Sequence, residues 1–317
     1  MLTTITHPAM ATEFAVILAE ADAHRVEDAV EALEMLDKIE AELTVYNEAS
    51  EISRVNAAAA EDPVAVCEST FALLERSLKW SRRTAGAFDV TAGPLVRAWG
   101  FTQRRGRKPT DAEITQAIER VGYQHVTLFP ETREVRFGKP GMEINLGAIG
   151  KGDALDRLAQ RLQDAGVENF LLHGGASSVL ARGRQSPEQD GWLVGISHPL
   201  RSNDRLAGLR LHNEALSTSG SGKQFFHFRG KRYGHVIDPR TGYPAGEMLS
   251  LTAIASNATD AEACSTAYFV EGIDAIQQVI DEEETLPRMI GTQSLERQNQ
   301  VRVIPFAEID WVDAPIE

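Results

Sequence analysis

Helix-like and strand-like segments are mixed along this chain without strict alternation, and this order limits its fold more than any other feature. Apolar residues recur every three or four positions over 24–43, 69–84 and 150–165, which predicts amphipathic helices. Short apolar runs typical of strands dominate from Asn169 onwards. The mixture favours an α+β architecture, with mixed sheets flanked by helices, over a repeating βα unit with a parallel sheet.

The middle of the chain is predicted to hold three short strands, over 125–129, 134–137 and 142–146. They follow a stretch rich in turn-forming and basic residues at 94–110, which we interpret as a turn-rich connection with a basic surface loop.

Charge and composition exclude several classes of protein. The chain is 43% hydrophobic and 25% charged, which is typical of a globular protein and not of a disordered one. Its formal net charge of −14 argues against non-specific nucleic-acid binding, which depends on lysines and arginines that displace phosphate counterions. An anionic ligand therefore requires a local device such as a helix N-terminus, a few basic residues or a metal ion.

Three features of the sequence predict the cellular compartment: apolar runs, the first residues and the cysteines. No run approaches the ~18 apolar residues of a membrane span, and the first 20 residues show no signal-peptide pattern. Cys67 and Cys264 lie far apart in helix-like apolar contexts, which favours buried thiols over a disulfide. We expect a cytoplasmic protein; an extracytoplasmic one follows only if a leader has been removed.

Two glycine-bracketed segments are candidates for ligand contacts. The segment 86–101 reads GAFDVTAGPLVRAWGF, and its Asp89 beside Phe88 suits either a loop around a flat polar ligand or a structural turn. The segment 144–156 reads INLGAIGKGDALD, in which three glycines and Lys151 precede a helix. Such a turn can expose backbone N–H groups to a phosphate, or it can simply join a strand to a helix.

A third segment concentrates polar side chains. It reads ALSTSGSGKQFF over 215–226 and KRYGHVIDPRTGYPAG over 231–246. Its hydroxyls are those of Ser217, Thr218, Ser219 and Ser221. His235 stands close in sequence to Asp238, Arg240 and Thr241, so it is a candidate general base, with a satisfied core histidine as the alternative.

The fourth segment offers ligands for a hard cation. Glu262 and Thr266 are four residues apart, so on a helix they share one face. A carboxylate and a hydroxyl together suit Mg²⁺, which takes few protein ligands plus phosphate oxygens. Helix capping by Thr259 or Asp260 is the competing interpretation of this segment.

These segments, in this order, make the chain resemble the FAD:protein FMN transferase family, also called ApbE. The resemblance runs from Met10-Ala11-Thr12 through GAFDVTAGPLVRAWGF, LGAIGKG, STSGSGKQFF and HVIDPRTGYP to DAEACSTA. It implies a single domain over 1–317, with two lobes of one α+β fold and the active site in the cleft between them. It also implies that FMN passes from FAD to a Thr or Ser of an acceptor flavoprotein, through a phosphoester bond, with Mg²⁺ on the pyrophosphate and release of AMP.

The resemblance also implies roles for individual residues. Lys151 and His235 would be catalytic, with His235 as base for the acceptor hydroxyl. The carbonyl of Ala148 and the side chains of Glu262 and Thr266 would hold Mg²⁺. The flavin nucleotide would be contacted by Met10, Tyr46, Ala87, Phe88, Asp89, Asn145, Lys151 and His235.

Four positions depart from the family pattern. The family usually has Asp at the positions of Asn145 and Glu262, Gly at the position of Ala11, and Ala at the position of Gly150. Glu262 keeps the charge but extends it by one methylene, and Asp260 is an alternative carboxylate that lies off the Thr266 face. Two other functions therefore stay open: an FAD pyrophosphatase that yields FMN and AMP, and a flavin-binding protein without catalysis.

Overall fold

The structure is a computed structural model, and it describes residues 1–102, 106–201, 203–221, 225–282, 286–295 and 300–315. Parts of the basic loop and of the hydroxyl-rich motif, 103–105 and 222–224, lie outside these residues. The helices are α1 (Val26–Leu43), α2 (Glu51–Ala58), α3 (Glu68–Arg83), α4 (Gly93–Ala98), α5 (Asp111–Ile118), α6 (Gly150–Asp164), α7 (Ala258–Glu271) and α8 (Ile273–Glu282).

The strands form one large sheet and three small ones. In chain order they are β1 (Thr3–Ala9), β2 (Thr12–Leu18), β3 (Val64–Ala65), β4 (Val126–Phe129), β5 (Glu134–Phe137), β6 (Phe170–Gly174), β7 (Ser178–Arg182), β8 (Trp192–Ser197), β9 (Arg205–Leu211), β10 (Ala215–Gly220), β11 (Phe225–Phe228), β12 (Lys231–Gly234), β13 (Ser250–Ala255), β14 (Arg288–Ser294), β15 (Val301–Pro305) and β16 (Trp311–Asp313). The large antiparallel sheet has the order β1-β2-β6-β7-β10-β13-β14-β15. The small sheets are β16-β9-β8, β3-β5-β4 and the hairpin β11-β12.

The large sheet is covered on both faces, because successive side chains of a strand point to opposite sides. In β6, Phe170 belongs to the hydrophobic cluster that contains Leu33 of α1 and Leu155 of α6. The next residue, Leu171, packs instead against the cluster that contains Trp192 of β8. Helices thus cover one face and the β8-β9-β16 sheet covers the other. The α+β class predicted from the sequence is confirmed.

A separate small core holds the segments around the aromatic motif. Trp99 and Leu95 are buried together with Ile114 of α5 and Ile237. The indole N–H of Trp99 donates to the carbonyl of Gly242 at 2.8 Å, which ties α4 to the turn of the DPRTG motif. The hairpin β11-β12 packs on this same core.

Several sequence predictions of secondary structure were wrong. Residues 142–146 contain only an isolated bridge, between Ala92 and Glu143. The physical reason is that the side-chain amide of Asn56 bonds both the N–H and the carbonyl of Ile144, at 2.7 and 2.9 Å, in place of a neighbouring strand. The connection predicted at 94–110 contains most of α4.

The first turns of α6 and α7 are in unusually close contact. A Cβ added to Gly152 of α6 would lie 2.4 Å from the carbonyl oxygen of Ala258, so only glycine permits this approach. Asp156, one turn further along α6, accepts hydrogen bonds from the N–H groups of Ala258 and Thr259 at 2.8 and 2.9 Å. Asp156 therefore satisfies N–H groups of α7 that have no partner within the helix and fixes α7 against α6.

A half-buried ion pair links the same end of α7 to α3. Arg76 donates from Nε and Nη2 to the two carboxylate oxygens of Asp260, at 2.9 and 2.7 Å, and Trp80 Nε1 donates to the same carboxylate at 2.7 Å. These donors outweigh the opposing effect of burial and lower the pKa of Asp260 to about 2. Asp260, the alternative carboxylate named above, is thus engaged with α3 and not with Thr266.

No helix within the described residues is long and apolar enough to cross a membrane. Neither described cysteine is in a disulfide, and Cys264 is buried in α7.

The contact at Gly152 predicts the effect of one added methyl group. Gly152→Ala should lower the free energy of unfolding by roughly 1–3 kcal/mol, because overpacking against backbone exceeds the gain in helix propensity. Urea unfolding measures this. Gly246→Ala is the matched control, since a Cβ there would meet no atom within 4 Å. Equal stability of the two variants would contradict the close contact.

The burial of Asp153 predicts a pH dependence of stability. Burial raises its pKa from 3.8 to about 6, although Arg157 beside it acts in the opposite direction. The folded state then binds the proton more tightly than the unfolded chain, so this group costs stability as pH rises from about 4 to 6. The free energy of unfolding of Asp153→Asn, relative to wild type, should rise by roughly 1–3 kcal/mol between pH 4 and 7. A difference that is constant with pH in urea titrations would contradict the raised pKa.

Candidate active site

The glycine-rich turn before α6 exposes the beginning of that helix. The Asn145 side chain accepts a hydrogen bond from the N–H of Gly147 at 2.9 Å, which closes a turn ahead of the helix. Residue Ile149 precedes the first helical residue and supplies no side-chain cap. The N–H of Gly150 donates to the carbonyl of Leu146 at 2.7 Å, within the turn. The N–H of Gly152 needs an acceptor from another element, and the helix dipole favours a negative one.

Glu262 supplies that acceptor. Its side chain is only 4% exposed, and its Oε2 accepts the N–H of Gly152 at 2.7 Å. Its Oε1 accepts from the ammonium group of Lys151 and, at 3.4 Å, from the hydroxyl of Ser178. A buried carboxylate is stable only where charge and hydrogen bonds compensate its lost hydration. Lys151, the α6 N-terminus and Ser178 provide that compensation.

Thr266 lies one turn after Glu262 and is joined to the central sheet. The hydroxyl of Ser219, on β10, is 3.1 Å from the Thr266 hydroxyl and 2.9 Å from that of Ser265. These bonds attach the α7 face that carries Glu262 and Thr266 to the serine-rich strand. The helical face predicted from their spacing of four is confirmed, because both residues lie in α7.

The loop at 87–89 is buried in the protein. Ala87 and Phe88 are almost completely buried. Asp89 accepts hydrogen bonds from the N–H and hydroxyl of Thr91, at 2.8 and 2.7 Å, and from the N–H of Tyr123 at 2.8 Å. Burial raises the pKa of Asp89, while these hydrogen bonds act in the opposite direction. That the loop contacts a flavin nucleotide stays a prediction.

The same loop is anchored to the start of the glycine-rich turn. The N–H of Asn145 donates to the carbonyl of Val90 at 2.7 Å. The half-buried Ala148 lies in this turn, between Asn145 and the first residue of α6. The loop at 87–89, the turn and the first residues of α6 therefore form one connected arrangement.

Met10, at the turn between β1 and β2, lies beside the first turn of α6. Met10 and Ala11 form the turn between β1 and β2 with φ angles of 50° and 59°, a left-handed conformation in which glycine is less strained. This explains why a glycine fits the position of Ala11. A Cβ added to Gly150 would lie 3.6 Å from Met10 Cε, so the Met10 side chain lies against the first turn of α6.

Two predicted site residues stand apart from this arrangement. Tyr46 lies between α1 and α2 and is 73% exposed. His235 is half-buried, follows β12, and meets the ring of Phe101 edge-on with centroids 6.4 Å apart. The structure thus brings together Met10, Asn145, Ala148, Lys151, Glu262 and Thr266, while contacts of Tyr46 or His235 with that group stay a prediction.

Sequence reasoning missed the residues that support this group. Ser178 bonds to the Glu262 side chain, Ser265 bonds to the Glu262 carbonyl, and Asp156 orients α7. The signal for Asp156 was present, since it follows Gly152 by four residues and shares its helix face. Ser178 and Ser265 gave no such signal, because a serine inside a buried strand or helix has no distinctive spacing.

One open cavity in the described residues lies away from the candidate site residues. It has a volume of about 750 Å³ between α1 and α3 and is lined partly by Glu42, Glu51 and Cys67. None of the candidate site residues lines it. The assignment of the site therefore rests on converging polar contacts and not on cavity size.

Comparison with known proteins agrees with this geometry. The model of the ApbE family matches residues 10–290. The chain is 34% identical over 277 residues to the FAD:protein FMN transferase of Klebsiella pneumoniae, with 86% of this chain and 78% of that protein covered. It is 31% identical over 276 residues to the FAD:protein FMN transferase of Escherichia coli K12, with 83% and 78% covered.

A solved structure shows the same architecture. The crystal structure of the ApbE protein from Thermotoga maritima superimposes with a TM-score of 0.84 at 30% identity, covering 95% of this chain and 96% of that one. The family match spans most of the chain and includes every candidate site residue. The chain therefore belongs to the ApbE family and is a transferase.

Proposed function

We propose that this chain transfers FMN from FAD to a Thr or Ser hydroxyl of a flavoprotein, with Mg²⁺ and with release of AMP. The names of its relatives supply the donor and the kind of acceptor. The observation that carries the proposal is the meeting of Lys151 and Glu262 at the N-terminus of α6. An ammonium group, a carboxylate and the positive end of the helix dipole lie together there.

This point suits a pyrophosphate. A helix N-terminus preceded by glycines can bring backbone N–H groups close to phosphate oxygens, and Lys151 adds a positive charge. In a protein of net charge −14, attraction of the doubly charged FAD pyrophosphate must be local. Lys151 would orient the pyrophosphate while Met10, at the same helix turn, would contact the nucleotide.

The donor atoms around Glu262 fit Mg²⁺. They are the Glu262 carboxylate, the Thr266 hydroxyl and the Ala148 carbonyl, all hard oxygen ligands of the kind that Mg²⁺ prefers. No group of three His, Cys, Asp or Glu side chains suited to a metal occurs among the described residues. A cation here would therefore complete its shell with phosphate oxygens and water. When bound, Mg²⁺ would neutralise charge on the pyrophosphate.

The proposed reaction forms one phosphoester bond and breaks one phosphoanhydride bond. The acceptor hydroxyl oxygen attacks the phosphorus of the FMN half, and AMP leaves with the electron pair of the broken P–O bond. The hydroxyl proton must go to a base, because a neutral hydroxyl is a weak nucleophile. We assign this role to His235, because histidine is the side chain most often used as a general base near neutral pH.

The transfer can be tested in an extract of E. coli K12 from which its own FAD:protein FMN transferase has been deleted. Purified chain, FAD and Mg²⁺ are added, and covalent flavin is detected by fluorescence after denaturing electrophoresis, with AMP measured in parallel. We expect fluorescent protein bands that require both FAD and Mg²⁺. Free FMN and AMP without bands would indicate a pyrophosphatase, and FAD binding without AMP would indicate a flavin-binding protein. Either result would contradict the proposed transfer.

The role of Glu262 predicts a graded effect of two substitutions. Glu262→Gln should slow AMP release by roughly 100-fold or more, since it removes the charge that holds the cation. Glu262→Asp keeps the charge one methylene shorter and should retain activity within about tenfold, at a higher Mg²⁺ requirement. The control is the exposed Glu188→Gln, which should behave as wild type.

Thermal melting of the variants shows whether each remains folded, because removal of one partner of a buried ion pair can cost about 3–5 kcal/mol. A folded Glu262→Gln variant with wild-type turnover and Mg²⁺ dependence would remove Glu262 from the cation site.

A further inference from the structure

The hairpin β11-β12 projects from the candidate active site itself. It follows Ser219, which bonds to Thr266, and it ends immediately before His235. Arg232 on β12 donates a hydrogen bond to the carbonyl of Ser221, so the hairpin is also attached to the end of β10. Whatever binds to this hairpin therefore binds beside the proposed reaction centre.

One face of the hairpin is anchored in the protein. The rings of Phe226 and Tyr233 stack with centroids 5.5 Å apart and planes 16° apart. Tyr233 also lies 5.4 Å from Trp99, and Phe226 lies 6.2 Å from it. A two-stranded hairpin is marginal by itself, so these ring contacts hold it in a defined position.

The rest of the hairpin presents aromatic rings with cations over them. Phe225 and Phe228 are 41% and 39% exposed. The Arg232 guanidinium lies 4.0 Å from the Phe225 ring centroid, and Arg229 and Lys108 lie 5.4 and 5.9 Å from that of Phe228. We call the following residues the hairpin surface: Lys108, Phe225, His227, Phe228, Arg229 and Arg232.

The charges of this surface are not balanced by neighbouring carboxylates. The segments 103–110 and 221–235 together contain eight lysines and arginines and no aspartate or glutamate, and one of these, Arg107, pairs with Glu113 of α5. Within the described part of the chain, Lys108, Arg229 and Arg232 form no ion pair with a carboxylate. In contrast, Arg76, Arg157 and Arg288 are each paired with Asp or Glu. A basic surface is thus concentrated beside the site of an acidic protein.

We propose that the hairpin surface docks the acceptor flavoprotein, through an acidic segment that carries the target hydroxyl. The inference rests on the proposed transferase function, which requires a second protein to reach the reaction centre. Carboxylates on that segment would pair with the lysine and arginine side chains of the hairpin surface. The net charge of −14 disfavours binding of an acidic segment to the rest of the protein surface. Exposed Phe rings would add apolar contact.

The backbone of the hairpin offers a second kind of contact. In the described residues, β11 and β12 pair only with each other, so each keeps an outer edge with hydrogen-bonding groups. An extended segment of a partner can add to such an edge as a further strand. This mode would place the segment along the hairpin, towards Ser219 and His235.

Two fluorescein-labelled 12-residue peptides with a central Thr test the docking, one flanked by Asp and Glu and the other by Lys. Fluorescence anisotropy should show binding of the acidic peptide alone, with affinity that falls as salt rises. The double variant Lys108→Glu/Arg229→Glu should weaken this binding by roughly tenfold or more. The control Lys38→Glu/Arg201→Glu changes the net charge equally at exposed sites elsewhere and should bind as wild type.

Several results would overturn the docking proposal. They are equal binding of both peptides, no binding of the acidic one, and equal weakening by both double variants. Tighter binding to a single-stranded DNA 12-mer, to anionic phospholipid vesicles or to a second copy of this chain would also overturn it, because each assigns the surface to another partner.

The extract assay separates this inference from the proposed function. If wild type forms flavin bands and the Lys108→Glu/Arg229→Glu variant forms them at the same rate, docking at this surface fails and the transferase function stands. If wild type releases no AMP and forms no bands, the transferase function fails, whatever the peptides show. The expected result is that the variant forms bands and releases AMP together, both roughly tenfold more slowly than wild type, while its affinity for FAD is unchanged.

Discussion

The close contact between the first turns of α6 and α7 is the constraint on which the candidate site depends. Gly152 allows the helices to approach, and Asp156 caps α7 so that the approach is fixed. Glu262 can then reach across to the N–H of Gly152 and to Lys151. Without this approach the α6 N-terminus and the α7 carboxylate would belong to separate surfaces.

The Lys151–Glu262 pair explains how an acidic protein can hold an anionic substrate. A buried carboxylate and an ammonium group stabilise each other where neither would be stable alone. The same two groups are the ones suited to a pyrophosphate and to a divalent cation. In the proposed reaction, Lys151 would turn to the pyrophosphate and Glu262 to the cation, so the pair would keep the site ordered before FAD binds.

The sequence predicted the local elements of this arrangement better than their assembly. Glycines before an amphipathic run predicted α6, and the spacing of Glu262 and Thr266 predicted a shared helix face. The pairing of Lys151 with Glu262 joins residues 111 positions apart, and no local pattern encodes it. The same limit applies to Asn56, whose side chain replaced a neighbouring strand at Ile144.

Hydroxyl-rich and aromatic segments were the hardest to interpret. The serines of β10 lie in the sheet because β10 pairs with a strand on each side and bonds to α7. The hairpin β11-β12 is held by contacts of Phe226 and Tyr233 with the ring of Trp99, which is far away in the sequence. In both cases contacts distant in the sequence outweighed local propensity.

The most direct test of the account is a crystal structure of the chain soaked with FAD and Mg²⁺. The account predicts that Lys151 leaves Glu262 for an oxygen of the pyrophosphate and that Glu262 and Thr266 both face the cation. FAD bound elsewhere, with the Lys151–Glu262 pair intact, would contradict it.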